Sequence, residues 1–181
     1  GYQEDNHPHS CGGRSDGQQL GGRAALLSPH LFGKLRQCLF DSAVMGVEAL
    51  FQGYKVCLYL QVFTHPLLDL LSREHEDWKY YFQLIAQINN SPEWGGELMT
   101  RYFDPLVRRF IEALSKALPD CDAADLYWSY HFLSGALTLT FAETGRIDNL
   151  SDGACVSTDM AAVSERMPKF LAAGFEALCN R

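Results

Sequence analysis

The side chains able to do chemistry in this chain are few and widely spaced. His131 stands among Tyr127, Trp128 and Phe132 within one helical pattern. An imidazole so placed is either a core or interface histidine satisfied by a carbonyl, or a polar handle in a ligand cavity. Tyr80, Tyr81 and Phe82 offer the same two readings. His7, His9 and Cys11 are ligand-type residues, but no second pair at matching spacing completes a tetrahedral site, so no metal is expected. A nucleophile elbow, an H-E-x-x-H helix and the paired E-x-x-H helices of a di-iron bundle are all missing from the sequence. Gly12-Gly13 and Gly21-Gly22 follow no predicted strand and so cradle no phosphate. The chain reads as a binding protein and not an enzyme, with no cofactor expected.

Two helical patterns must position these groups. From Leu98 an i, i+4 stripe runs through Tyr102, Leu106, Phe110, Leu114 and Leu118, widened by Phe103, Val107 and Ile111. Pro105 inside it should kink the helix or mark its true start. Ser91-Pro92-Glu93 is a start signal upstream. The second pattern begins at a cap near Asp120 or Asp122, with Asp125 in its first turn, and runs to Thr144 with Gly145 as a left-handed cap. Leu126, Tyr130, Leu133, Leu137 and Phe141 form one stripe; Tyr127, Trp128, Phe132, Ala136 and Leu139 nearly close the circle. A helix apolar on most sides must be covered on most sides, and a second copy of the chain is the simplest cover.

A last helix over 159–179 carries Met160, Val163, Met167, Phe170, Leu171, Phe175 and Leu178. Gly135 and Gly174 sit in mid-helix, where glycine costs about 1 kcal/mol against alanine; close approach of another backbone would offset that. Earlier helices are expected over 55–72, with Pro66 as a kink or break, and over 77–90. Residues 146–158 form the one long loop of the second half.

With 181 residues, 47% of them hydrophobic, the chain can fill one good core. A net charge of −7 argues against a basic nucleic-acid coat, without excluding a small basic face. Six cysteines lie scattered without a C-x-x-C, several on apolar helix faces. They are expected to be reduced core residues of a cytoplasmic protein. No apolar run is long enough to span a bilayer and no signal peptide opens the chain, so no membrane partner is expected. Residues 1–28 lack large apolar side chains and any period, and should be irregular and mobile. Residues 29–53 regain helical character as a remnant or linker, and 54–181 form the helical domain.

The segments Arg101 to Leu114, Leu126 to Leu137 and Lys169 to Leu178 resemble the C-terminal domain of TetR-type transcriptional regulators. The likeness covers roughly Val62 to Leu178. It is nearest the branch whose penultimate long helix reads W-x-x-H-F-x-x-G-A, here Trp128, His131, Phe132, Gly135 and Ala136. The resemblance implies an all-α fold whose last two long helices form a four-helix bundle with those of a second subunit, and a small-molecule cavity between the middle helices. By helix face and position, the ligand candidates are Phe63, Leu67, Phe82, Phe103, Val107 and Trp128. The dimer candidates are Phe132, Gly135, Leu139, Phe170, Gly174 and Phe175. Some members of this branch respond to fatty acids or acyl thioesters, so an apolar effector is expected by analogy.

The N-terminal part departs from that family. TetR-type proteins begin with a helix-turn-helix that usually ends in a Y-x-H-F-x-x-K-like signature. Here His30-Leu31-Phe32-Gly33-Lys34 falls one residue out of step and lacks the tyrosine; Lys34 is the one residue onto which the family's phosphate-contacting lysine maps. If Asn6 to Asp16 is back-translated with ordinary GC-rich codons and read one base later, a run like the family's second and third helices can appear. That is what a shifted reading of a DNA-binding domain would leave, and gene sequencing tests it. Three functions follow: a ligand-responsive dimeric repressor acting on operator DNA, a dimeric small-molecule-binding module without DNA binding, or an all-α enzyme using a pocket histidine.

Overall fold

The computed structural model describes residues 52–72, 76–93 and 95–179. Among them lie seven helices and no strand. They are α1 (Gln52–Ser72), α2 (Glu76–Asn89), α3 (Gly95–Tyr102), α4 (Asp104–Ala117), α5 (Ala123–Ala142), α6 (Arg146–Leu150) and α7 (Met160–Cys179). The expected all-α fold is the one observed. Lys34, the candidate metal group at His7 to Cys11, and the expectations for 1–28 and for most of 29–53 fall outside the described residues.

Each long helix turns its i, i+4 row inward. Val56, Leu60, Phe63, Leu67, Leu68 and Leu71 do so from α1, and Tyr81, Phe82, Ile85 and Ala86 from α2. Phe110 and Leu114 of α4, Leu126, Leu133, Leu137 and Phe141 of α5, and Leu171 and Phe175 of α7 complete one cluster. α1 packs along α7 and α2 along α5, with α5 against α7 and α4 against both α1 and α5. Burying one such large side chain stabilises by roughly 1.5–3 kcal/mol, so the shared cluster, not helix propensity, holds the bundle.

Local signals explain most boundaries. Pro105 marks a start: α3 stops at Tyr102, Phe103 intervenes at φ −108°, and the proline opens α4. Pro66, by contrast, is carried inside an unbroken α1. Asp122 caps α5, its carboxylate accepting the Ala124 N–H at 3.0 Å. α5 ends two residues earlier than its apolar pattern suggested. Glu143 (φ 42°), not Gly145, takes the left-handed position after it, and Gly145 (φ 66°) instead precedes α6. The Glu143 carboxylate is buried there and forms an ion pair with Lys79 of α2 at 2.6 Å.

The expected long loop is a built structure. After the short α6, the Asp148 carboxylate accepts the Ser157 N–H at 3.0 Å and Ser151 Oγ accepts the Cys155 N–H at 2.9 Å. Asp159 then accepts the Ala162 N–H at 2.9 Å and starts α7.

The cysteine expectation is corrected. Cys121, in the turn before α5, is disulfide-bonded to Cys179, the last residue of α7, with their Cα atoms 4.4 Å apart. The pair is separated by 58 residues, and only the antiparallel return of α7 along α5 brings the two together. No local spacing carries that information. Cys57 and Cys155 are free.

Candidate functional site

α5 is the element on which both candidate sites depend. Leu126, Ser129, Leu133 and Leu137 face the core. Trp128, two residues on from Leu126 and so about 200° around the helix, faces outward. It is 58% exposed, Phe132 is 55% exposed and Leu139 64%, and Gly135 lies on the same side. These four follow at intervals of four, three and four, which is one stripe. The Trp128 and Phe132 rings stack at 6.1 Å, and His131 meets Trp128 edge-on at 5.7 Å. His131 is thus an exposed member of this face rather than a pocket group.

α7 continues the surface. Phe170 is 79% exposed, and Ala173, Gly174 and Ala177 are exposed beside it. Among the described residues, a side chain added at Gly135 or Gly174 would meet no atom within 4 Å. The two mid-helix glycines therefore relieve no crowding among the described residues; they make the outer face low. Phe175 departs from the expected dimer set: it is 1% exposed and belongs to the core. One residue past Gly174 turns the helix by about 100°, and that carries Phe175 from the outer face to the inner one.

The interior candidates separate in the same way. Phe63, Leu67 and Phe82 are buried together, and Phe103 packs against the same cluster from the α3–α4 junction. Val107 is half-buried on α4. Trp128 stands apart from these five. Two aromatics overlooked in the sequence join them: Phe110 stacks on Phe63 at 4.1 Å, and Phe141 tilts over Phe82 at 4.6 Å. Both were visible as members of apolar stripes. That they pair with these particular rings depends on helix packing.

Polar atoms enter this apolar interior at few points. The Thr64, Tyr81 and Ser129 hydroxyls are buried, on three different helices, with no hydrogen-bond partner among the described residues. Burial pushes the Tyr81 hydroxyl up to about 12. A second polar set joins α2 to α5. Asn89 Nδ2 donates to Thr138 Oγ1 at 2.8 Å and to Ser134 Oγ at 3.4 Å. Tyr130 is pushed up to about 12, by burial first and also by the Asp104 carboxylate, while a hydrogen bond with Ser134 works in the opposite sense. Tyr130, Ser134 and Thr138, spaced by four, make one polar row on an otherwise apolar helix. Among the described residues no three His, Cys, Asp or Glu side chains gather as a metal site, and no helix is long and apolar enough to cross a membrane.

The described residues form an all-helical domain with one shared apolar core and a second, exposed apolar stripe on its last two long helices. Residues 61–174 match the model of the tetracyclin repressor-like C-terminal domain, and the chain belongs to that TetR-type family. No curated protein matches the chain.

Proposed function

We propose that this chain is the effector-binding and pairing part of a ligand-responsive TetR-type transcriptional repressor that works as a homodimer in the cytoplasm. The observation that carries the reading is the outer stripe of Trp128, Phe132 and Leu139 on α5, continued by Phe170 and the low Gly174 surface on α7. Leaving that much aromatic surface in water is unfavourable, and an identical stripe related by a two-fold axis covers it with four helices. The effector would be an apolar small molecule, a fatty acid or acyl thioester by family analogy. It would lie among Phe63, Leu67, Phe82 and Phe103, and the buried, unpartnered Thr64, Tyr81 and Ser129 hydroxyls are the candidates to hydrogen-bond its polar end. Effector binding would act on DNA by favouring one spacing of the two DNA-reading heads, of which Lys34 is the candidate phosphate contact.

The experiment is a gel shift on the intergenic DNA upstream of the gene, with and without long-chain acyl compounds, across a range of salt. Sequence-selective, salt-dependent binding released by the effector supports the repressor. A second reading is a dimeric small-molecule-binding module without DNA recognition. The observation favouring it is the N-terminal departure from the family signature at His30 to Lys34. A preserved dimer that binds acyl compounds but no DNA selects it. The enzyme alternative needs a histidine in the pocket, and His131 lies on the outer face instead.

A further inference from the structure

We propose that Cys121 and Cys179 form a reversible thiol–disulfide latch that sets how tightly two copies of this chain associate. The proposal rests on the dimer reading above and adds its regulation.

The bond ties one end of the helix pair that carries the outer stripe. Cys121 precedes the first turn of α5, Cys179 ends α7, and the two helices run antiparallel between them and the α6 loop. Trp128 and Gly174 belong to the tied end. With the bond closed, the crossing of α5 and α7 is fixed before a second copy arrives, so less ordering remains to be done on association. With the bond open, no covalent tie joins the last turn of α7 to the start of α5.

The two sulfurs are not equivalent. Cys121 is half-exposed in the Leu118–Asp122 turn, whereas Cys179 is buried at 6% exposure. An incoming low-molecular-weight thiolate therefore attacks the Cys121 sulfur. The S–S bond breaks, Cys179 leaves as thiolate and takes a proton from solvent, and a mixed disulfide remains on Cys121. A second thiolate attacks the small-molecule sulfur of that mixed disulfide, giving the small disulfide and the Cys121 thiolate. The net reaction oxidises two small thiols and reduces one protein disulfide, and it runs backwards with the small disulfide as oxidant. Free Cys57 and Cys155 take no part in the bond.

The test uses the full chain in glutathione buffers of fixed reduced-to-oxidised ratio. The state of Cys121 and Cys179 is read by alkylation and peptide mass, and the dimer dissociation constant by sedimentation. Association is expected to be tighter in the oxidised form by about 5- to 150-fold, the usual range of coupling between two sites. By the same linkage the redox midpoint should shift with protein concentration. Cys121→Ser should show one constant in all buffers, with its helical circular dichroism confirming the fold; Cys155→Ser should respond like the parent. Equal constants in both redox states overturn the latch and leave the dimer standing. So does a disulfide that resists reduction until the chain unfolds, or a pair that stays alkylatable in oxidised buffer. A monomer in every buffer overturns the dimer reading and the latch with it.

Discussion

Asn89 at the end of α2 donates from Nδ2 to Thr138 Oγ1 of α5 at 2.8 Å, with Thr138 9% exposed. A second, longer bond reaches Ser134. The carboxamide thus joins the polar row of α5 to the helix it packs on. Asn89→Ala should lower unfolding stability by about 1–3 kcal/mol, because the buried Thr138 hydroxyl loses its donor. Thr138→Val in the same background should cost much less than it does alone. A denaturant double-mutant cycle reads the coupling, and strict additivity would remove the bond from the account.

Two phenylalanines on neighbouring faces should fail in opposite ways. Phe132→Asp places a charge on the exposed stripe of α5, while Phe175→Ala empties a buried site on α7. The first should leave the melting temperature of the isolated subunit nearly unchanged and weaken association by about 2 kcal/mol or more. The second should cost about 3–5 kcal/mol of folding stability. Light scattering and thermal melts distinguish them. A Phe132→Asp protein that unfolds while still dimeric would reverse the assignment of faces.

That pair also marks what was legible in the sequence. Helix identity was legible, because apolar spacing of three and four leaves no strand solution, and Pro105 and Asp122 signalled their boundaries through backbone chemistry alone. The apolar excess of α5 was legible too. Which part of that excess faces inward was not, because a helix apolar on most sides has no polar face to fix its rotation. Hence Trp128 was expected in the interior; on α7, an apolar stripe wide enough to hold both Phe170 and Leu171 likewise left Phe175 expected on the outside. Cys121 with Cys179, and Phe63 with Phe110, are contacts between helices distant in sequence, and no local period encodes them. The α6 turn was hidden for another reason: its order comes from the Asp148, Ser151 and Ser157 hydrogen bonds, and the same residue types also mark unstructured loops.

Gly95 opens α3 where the chain leaves α2. A Cβ at this position would come 2.6 Å from the Ile88 carbonyl oxygen, a backbone atom with no freedom to retreat alone. Gly95→Ala should therefore push α3 from the end of α2 at a cost of about 1–3 kcal/mol, although alanine is the better helix former. Gly96→Ala next to it meets nothing within 4 Å among the described residues and should be neutral or slightly stabilising. Urea unfolding of both variants checks the contrast. Equal stabilities would mean that the α2–α3 corner yields freely.

Asp148 makes the 146–158 loop sensitive to acid. Hydrogen bonds from Ser157, from its side chain first and also from its backbone N–H, hold the Asp148 carboxyl below its usual range against an opposing desolvation effect. A folded-state pKa below the unfolded one means the charged form is favoured by the fold. The contribution is therefore present above the unfolded value of 3.8 and is lost as pH falls through the lower folded value. The Ser157 amide should stay protected from hydrogen exchange at neutral pH and lose protection only as the pH falls below 3.8 through the lower folded value. Asp148→Asn keeps an oxygen acceptor but does not titrate in this range, so its Ser157 protection should be weaker at neutral pH and flat through the acid range. An identical acid-induced loss in Asp148→Asn would assign the transition to another carboxylate.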